Sequence, residues 1–325
     1  MTESNDKPVI RQVRQTEDRF LASDVFEAQA RTFSAPNGKG AIREEASDIA
    51  IYHQCDVAVI GGGPAGCAAA YAAAKAGAEV IRAGFGRPQR VEMKGPVDLV
   101  TETDRAAEAV VVALLERERP QDSIRAEEGT QRDGRAGDRT WVVDPIDGTT
   151  NFAHAVPHCC STLALLEGGE VTAGAIANPF TDELFSAARG EGAWFESGSE
   201  RRQLSVTANA EFVNGLFATG FPYDRDGVDY RLVSSVWDKL CLISRATRRT
   251  GSAALDIAYV GAGRYDGYVV SGAKVWDIAA GIILVSEAGG HVSDLSGGPW
   301  TPDSVGCIAS NGVLHDALLA LVSGK

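Results

Sequence analysis

The sequence predicts a fold that combines the α/β and α+β classes, and three observations lead to this prediction. Residues 161–188 contain three short apolar runs separated by turns rich in Gly, Asn and Pro, which is typical of antiparallel strands. From about residue 204 onward, short apolar strands alternate with helical segments. The apolar run at 141–143 leads directly into two aspartates, and strand ends are where α/β proteins bind ligands.

Composition and charge narrow the classes of function. The chain has 325 residues, 44% of them hydrophobic and 23% charged, as expected of a soluble globular protein. A net charge of -13 argues against a nucleic acid or an anionic membrane as partner. No apolar run reaches the roughly 18 residues of a membrane span, and the first 30 residues are too charged for a signal peptide. We therefore expect a cytoplasmic protein.

The N-terminal part divides into two predicted segments. Residues 1–54 are polar and predict a mobile extension. Residues 55–66 contain an apolar run followed by glycines in G-x-G-x-x-G spacing, so this segment resembles the opening of a flavin- or dinucleotide-binding Rossmann unit. An acidic residue at the end of the second strand, needed to bind a ribose, is missing. The prediction is a Rossmann-like strand and glycine turn without a working site, and the competing interpretation is a helix that begins at Pro64.

Acidic residues recur at predicted element boundaries in the next segment. Asp104 precedes the amphipathic helix predicted over residues 105–117, at the N-cap position. The same carboxylate could accept a proton from a hydroxyl at a nearby site. Glu127 and Glu128 follow a short predicted strand, and they are either surface charges or further oxygen donors to that site.

The stretch after the apolar run at 141–143 carries the strongest chemical signal. Pro145 is expected to end the strand, which leaves Asp144 at its end. Asp147 and the carbonyl of Ile146 can point into the same small volume. Two carboxylates this close repel unless a cation lies between them, and oxygen donors favour Mg²⁺. Gly148 and the hydroxyl residues after it resemble a helix start that can bind an anion, whereas the simpler interpretation is an Asx-rich turn that caps a helix.

A buried helix is predicted near the C-terminus. Residues 275–288 are apolar on all sides, and Gly289 supplies a C-terminal stop. Asp277 enters this helix and needs a partner, which is either the helix N-terminus or a cation.

Four motifs in this order resemble the signature segments of the inositol monophosphatase family, a superfamily of Mg²⁺-dependent, lithium-sensitive phosphatases. They are DLVTETD at 98–104, EEGT at 127–130, WVVDPIDGTTNF at 141–152 and WDIAAGIILVSEAGG at 276–290. The resemblance implies a layered αβαβα sandwich of the sugar-phosphatase type over residues 67–325. The change near residue 204 to alternating strands and helices predicts an α+β half at 67–203 and an α/β half at 204–325.

The resemblance also implies an activity and a set of site residues. The activity is Mg²⁺-dependent hydrolysis of a small phosphate monoester, inositol 1-phosphate or a related sugar or polyol phosphate, by activated water without a covalent intermediate, in a homodimer. The implied metal ligands are Glu127, Asp144, the carbonyl of Ile146, Asp147 and Asp277. The implied catalytic residues are Asp104, Thr149 and Glu127. The implied substrate-binding residues are Lys94, Gly148, Thr149, Gly251, Ser252, Ala253 and Asp277.

One position departs from the family pattern. Members that act on inositol phosphates commonly carry a glutamate six residues before the tryptophan of the WD motif, and this chain has Val270 there. Histidinol phosphate, fructose bisphosphate and phosphoadenosine nucleotides therefore stay open as substrates. A flavin- or dinucleotide-binding protein stays open as a function of a different class.

Overall fold

The structure is a computed structural model that describes residues 62–135 and 138–324. The predicted extension at 1–54 and the strand predicted at 55–60 lie outside the described residues. The helices are α1 (Gly62–Gly84), α2 (Glu102–Glu118), α3 (Thr149–Ala153), α4 (Val228–Ile243), α5 (Ala253–Gly261), α6 (Val275–Glu287) and α7 (His315–Ser323), with a 3₁₀ turn at Phe212–Asn214. None of these described helices combines the length and apolar character that a membrane crossing requires.

Fifteen strands are found in the described residues. The first ten are β1 (Val91–Met93), β2 (Leu99–Thr101), β3 (Ser123–Ala126), β4 (Gln131–Arg132), β5 (Arg139–Asp147), β6 (Cys160–Glu167), β7 (Glu170–Asn178), β8 (Glu183–Ala188), β9 (Gly192–Ser197) and β10 (Glu200–Gln203). The last five are β11 (Leu216–Gly220), β12 (Ala246–Arg248), β13 (Gly267–Ser271), β14 (His291–Ser293) and β15 (Gly306–Ser310).

Two large sheets and one small hairpin organise these strands. The first sheet has eight strands in the order β10-β9-β8-β7-β6-β5-β3-β4, antiparallel except where β3 runs parallel to β5. The second has five strands in the order β12-β11-β13-β15-β14, and β11 runs parallel to both of its neighbours. Strands β1 and β2 form a separate antiparallel hairpin.

The elements stack in five layers. Helices α1 and α2 cover one face of the eight-stranded sheet, and α5 and α6 fill the space between the two sheets. Helices α4 and α7 cover the outer face of the five-stranded sheet. The predicted αβαβα sandwich is therefore confirmed. Helix α6 is apolar on all sides because it packs against both sheets, and residues 278–285 are buried throughout.

The predicted antiparallel strands and the predicted alternation match the structure closely. Strands β6, β7 and β8 form the antiparallel meander expected from residues 161–188. The segment at the N-terminus differs from its prediction, because residues 62–66 are the first turns of α1 and not a glycine turn. A helix in this place agrees with the competing interpretation, in which the small residues after Pro64 pack against a sheet.

Two boundaries predicted from sequence were wrong. Helix α2 begins at Glu102 with Thr101 as its N-cap, so Asp104 is the third helical residue, and together with Thr101 it forms a capping box. Pro145 does not end β5, which continues to Asp147. The pairing of β5 with β6 is interrupted between Asp144 and Asp147, and this bulge lets the strand pass the proline without losing its place in the sheet.

Candidate functional site

The candidate site lies where the pairing of β3 with β5 ends. The two strands run parallel, and their ladder finishes with Ala126 opposite Val143. Glu127 follows directly, and its N–H donates to the carbonyl of Val143 over 3.0 Å. Because parallel strands present their carboxyl ends at one edge of the sheet, Glu127 and Asp144 are brought to the same place.

Three acidic side chains meet at this edge, and we call them the carboxylate cluster: Glu127, Asp144 and Asp277. One oxygen of each lies within 4.8 Å of the others. Asp277 belongs to the first turn of α6 and accepts a hydrogen bond from the N–H of Lys274 over 2.7 Å. Asp144 is 2% exposed and accepts a hydrogen bond from the N–H of Ile146 over 2.9 Å.

Electrostatics in the carboxylate cluster favour a bound cation. Burial, followed by the charges of Glu127, Asp147 and Asp277, raises the pKa of Asp144 well above its usual range. Burial, followed by the charge of Asp147, raises the pKa of Asp277 in the same way. Oxygen donors that repel one another at this distance match the ligand set of a hard divalent cation. The residues present therefore fit Mg²⁺.

Asp147 faces the N-terminus of α5. Its carboxylate accepts a hydrogen bond from the hydroxyl of Ser252. It also accepts bonds from the N–H groups of Ala253 over 3.1 Å and Ala254 over 2.9 Å. Burial raises the pKa of Asp147 to about 6, and these three donors limit the rise. Asp147 is thus a neighbour of the carboxylate cluster, and two of the predicted substrate-binding residues bind it directly.

Asp104 and Thr149 form a hydrogen-bonded pair beside the carboxylate cluster. The hydroxyl oxygen of Thr149 lies 2.9 Å from Oδ1 of Asp104 and 3.0 Å from the carbonyl oxygen of Ile146. The other carboxylate oxygen of Asp104 accepts bonds from the N–H and hydroxyl of Thr101. Burial raises the pKa of Asp104, and the bonds from the two threonines oppose this rise. The structure therefore brings together the two residues that the resemblance assigns to water activation.

Lys94 reaches the site from the β1–β2 hairpin. Its ammonium donates to Oε1 of Glu127 and to Oε1 of Glu128, both over 2.8 Å. Partial burial alone would lower the pKa of Lys94, but the hydrogen bonds to the two glutamates reverse this, and the pKa is raised overall. Lys94 consequently partly neutralises the negative charge around Glu127.

Gly148 allows two loops to approach closely. It caps α3 with a φ of 94°, a left-handed conformation that favours glycine. A Cβ at this position would lie 3.0 Å from Cβ of Cys159 and 3.2 Å from the carbonyl oxygen of Gly251. Asn151 holds the loop that contains Thr250 and Gly251, because its amide donates to the carbonyl of Thr250 over 2.9 Å. Gly148 and Gly251 are thereby held side by side.

Val270 does not provide a polar contact at the site. It is 3% exposed on β13, in the apolar cluster between the five-stranded sheet and α5 and α6. A valine here packs in the core, whereas a glutamate would need a hydrogen-bonding partner.

Sequence reasoning missed three residues that support the site. Thr101 binds Asp104, and Asn151 joins the loops around Gly148. Glu108 on α2 is 5% exposed and accepts hydrogen bonds from the EEGT turn. Its signal in the sequence was an acid four residues after Asp104, on the buried face of an amphipathic helix.

The sequence model of the inositol monophosphatase family matches residues 66–325. The chain belongs to this family. This assignment confirms the predicted enzyme class, a phosphoric monoester hydrolase.

Relatives with two different names are equally similar to this member of the inositol monophosphatase family. The inositol-1-monophosphatase of Mesorhizobium japonicum is 40% identical over 253 residues, which cover 77% of this chain and 93% of the relative. The Nus factor SuhB of Escherichia coli is 40% identical over 255 residues, which cover 77% of this chain and 92% of the relative.

Solved structures agree with the fold. The extragenic suppressor protein SuhB from Bartonella henselae superposes with a TM-score of 0.73 at 35% identity, over 77% of this chain and 95% of that one. The Thermotoga maritima IMPase gives a TM-score of 0.70 at 37% identity, over 78% of this chain and 95% of that one. The family match begins at residue 66, so the predicted Rossmann-like strand precedes it.

Proposed function

We propose that this member of the inositol monophosphatase family hydrolyses a small phosphate monoester in a Mg²⁺-dependent reaction. The observation that carries the proposal is the carboxylate cluster beside the Asp104–Thr149 pair. Inositol 1-phosphate, or a related sugar or polyol phosphate, is the leading substrate, because relatives at 40% identity are named inositol-1-monophosphatases.

The proposed Mg²⁺ ligands are Glu127, Asp144, the carbonyl of Ile146, Asp147 and Asp277. When bound, Mg²⁺ supplies positive charge that offsets the phosphate and lowers the pKa of water nearby. The carbonyl oxygen of Ile146 has a second lone pair beyond the one that faces Thr149. Oδ1 of Asp147 likewise keeps acceptor capacity, because it accepts one bond, from Ala253, whereas Oδ2 accepts two from the N-terminus of α5.

Asp104 and Thr149 would position the attacking water. Thr149 can donate its proton to Asp104 and accept one from a water molecule, because a hydroxyl is both donor and acceptor. Thr101 fixes Asp104 from the other side, so the pair is already oriented. Water is then the nucleophile, and the reaction needs no covalent intermediate. The backbone N–H groups of Gly148 and Thr149 would bind phosphate, as the family resemblance implies.

Substrate selection would depend on residues other than position 270. Since Val270 is buried and apolar, it cannot accept a hydrogen bond from a sugar hydroxyl. Among the predicted substrate-binding residues, Lys94 and the Gly251–Ser252–Ala253 loop would contact the alcohol part. Histidinol phosphate, fructose bisphosphate and phosphoadenosine nucleotides stay as alternative substrates.

A phosphate-release screen tests the proposed function. Metal-free protein would be assayed with inositol 1-phosphate, histidinol phosphate, fructose 1,6-bisphosphate, a phosphoadenosine nucleotide and an aryl phosphate, each with and without Mg²⁺. We expect turnover that requires Mg²⁺ and is inhibited by Li⁺. Failure to hydrolyse any monoester in the presence of Mg²⁺ would reject the proposal, and the ranking of substrates would decide the specificity.

The proposed assembly is a homodimer without nucleic acid or membrane as partner, in the cytoplasm. Light scattering coupled to size-exclusion chromatography measures the oligomeric state. The relatives named Nus factor SuhB make a nucleic acid a partner to test, and the net charge of -13 predicts no binding. A mobility shift with RNA at low salt would contradict this prediction. Flavin absorbance in the purified protein would support the alternative class of function.

A further inference from the structure

Glu108 is an acidic residue buried on α2, and within the described residues its hydrogen bonds come from one turn. Its carboxylate accepts bonds from the N–H of Glu128 over 2.7 Å, the N–H of Thr130 over 3.0 Å and the hydroxyl of Thr130 over 2.5 Å. A carboxylate that is 5% exposed is unfavourable unless its oxygens are hydrogen-bonded, and here both are. Glu108 is therefore well suited to holding this turn in place.

The turn that Glu108 binds begins with a member of the carboxylate cluster. Glu127 is its first residue, fixed to β5 through its own N–H. The N–H of Ala126 donates to the carbonyl of Thr130 over 2.9 Å, which closes the turn, and Gly129 adopts a φ of 112°. Lys94 also binds the side chains of Glu127 and Glu128 from the β1–β2 hairpin, and Glu108 is the residue through which α2 binds this turn.

Helix α2 contacts the segments that follow β3 and β5. Asp104 and Glu108 are four residues apart, so their side chains lie on the same face of α2 one turn apart. Asp104 binds Thr149, which follows β5, and Glu108 binds the turn that follows β3. One helix face thus sets the distance between the Asp104–Thr149 pair and Glu127.

We propose that Glu108 is a positioning residue that aligns the Glu127 carboxylate for metal binding. The inference rests on the proposed function, because it assumes that Glu127 binds Mg²⁺. Both oxygens of Glu108 accept hydrogen bonds from the turn, so Glu108 would act through Glu127 and not as a ligand itself. Substitution of a residue that hydrogen-bonds and orients a metal ligand, without binding the metal itself, typically changes metal affinity by about 10- to 100-fold.

Glutamine is the informative replacement at position 108. It keeps the size of the side chain, but its NH₂ group would face one of the donors in the turn, so one hydrogen bond is replaced by repulsion. We expect Glu108→Gln to raise the Kd for Mg²⁺ by about 10-fold. Isothermal titration calorimetry with Mg²⁺ and no substrate measures this directly. Glu116→Gln is the matched control, because Glu116 is exposed on the same helix and carries the same charge.

A second variant changes a residue of the turn that donates to Glu108. Thr130→Val removes the hydroxyl donor and leaves both N–H groups bound to Glu108. We expect its Kd for Mg²⁺ to rise by about threefold. The double variant should bind Mg²⁺ no more weakly than Glu108→Gln alone, because both changes act through the same contact. If Glu108→Gln does not fold, Thr130→Val decides the question.

The outcomes separate this inference from the proposed function. Unchanged Mg²⁺ affinity in both variants, with normal binding by the unaltered protein, would overturn the positioning role alone. A fall in the thermal midpoint of the metal-free variants without any change in Kd would mean that Glu108 serves only the fold, and it would also overturn the inference. Absence of Mg²⁺ binding by the unaltered protein would reject the proposed function, and this inference with it.

Discussion

At the scale of single residues, the acidic side chains of the site differ in how many hydrogen bonds stabilise their negative charge. Asp104, Asp147 and Glu108 accept several hydrogen bonds each, so their negative charges are stabilised within the chain. Asp144 accepts one bond from Ile146, and its nearest charges are also negative. The stability of the metal-free protein should therefore be limited by Asp144.

Asp144→Asn should separate activity from stability. Asparagine keeps an oxygen that can accept the bond from Ile146, and it removes one charge from the carboxylate cluster. We expect phosphate release to fall by about 100-fold or more, because metal-ion charge stabilisation is worth several kcal/mol. The free energy of unfolding without Mg²⁺ should not fall. Urea denaturation and phosphate-release assays measure the two effects, and full activity in this variant would contradict the assigned role.

Ser252→Ala should weaken the start of α5. Ser252 is the N-cap of this helix, and its hydroxyl also donates to Asp147. We expect the free energy of unfolding to decrease by about 1–2 kcal/mol. Urea denaturation measures it, with Ser296→Ala at an exposed position as the control. Equal stability of the two variants would show that the Ser252–Asp147 contact is unimportant for folding.

The sequence was sufficient to predict the positions of those site residues whose motif also defines their place in the fold. Asp144 and Glu127 follow apolar runs, so their place just beyond the paired parts of β5 and β3 could be predicted. Glu108 could not be assigned, because its partners in the EEGT turn reach it only through tertiary packing. Asp104 was placed at the wrong helical position, since both Thr101 and Asp104 are good capping residues and the sequence alone does not choose between them.

At the scale of elements, the contact between α5 and α6 is very close. A Cβ on Gly281 of α6 would lie 1.9 Å from Cγ2 of Ile257 on α5. The same helix approaches the eight-stranded sheet closely, since a Cβ on Gly174 of β7 would lie 2.8 Å from Cα of Ala280. Small residues at these points let α6, which carries Asp277, lie between both sheets.

Gly281→Ala should destabilise the protein strongly. The new methyl group would overlap Ile257, and neither helix can move away because both are packed between two sheets. We expect a loss of about 3 kcal/mol in the free energy of unfolding. Chemical denaturation measures it, with Gly95→Ala as the control, because the nearest atom there is 3.7 Å away. A loss below that of the control would show that α5 and α6 can separate.

Element types were easier to predict than element ends. The meander at β6, β7 and β8 was evident from alternating runs and turns, and α6 from its apolar length. The end of β5 was mispredicted, because the effect of Pro145 depends on a bulge opposite β6. Whether a bulge can accommodate a proline depends on how the partner strand pairs. The sequence around the proline does not show this pairing.

At the scale of the whole molecule, a buried histidine makes stability depend on pH. His315 at the start of α7 stacks on His291 with ring centroids 4.0 Å apart. Its nitrogens lie 2.9 Å from the hydroxyls of Ser310 and Ser293. Burial, followed by the charge of His291, lowers the pKa of His315 to about 4. The imidazole is therefore neutral in the folded protein over most of the acidic range.

His315→Asn should change this pH dependence in a defined direction. Between pH 6.5 and pH 4 the unfolded chain binds a proton at His315 and the folded chain does not, so this residue's contribution to stability is lost as pH falls. We expect the stability difference between the unaltered protein and His315→Asn to shrink by about 1 kcal/mol from pH 6.5 to pH 5. Urea denaturation at both pH values measures it. A constant difference would mean that His315 has an ordinary pKa.

The two large sheets end in strands that are poor templates for further strands. In the eight-stranded sheet, β4 has two residues, and every residue of β10 is exposed, including Arg201 and Arg202. In the five-stranded sheet, β12 and β14 have three residues each. Short or charged outer strands discourage pairing with another chain. Folded copies of this protein should consequently resist edge-to-edge pairing, even though its sheets contain long, almost fully buried strands such as β6 and β7.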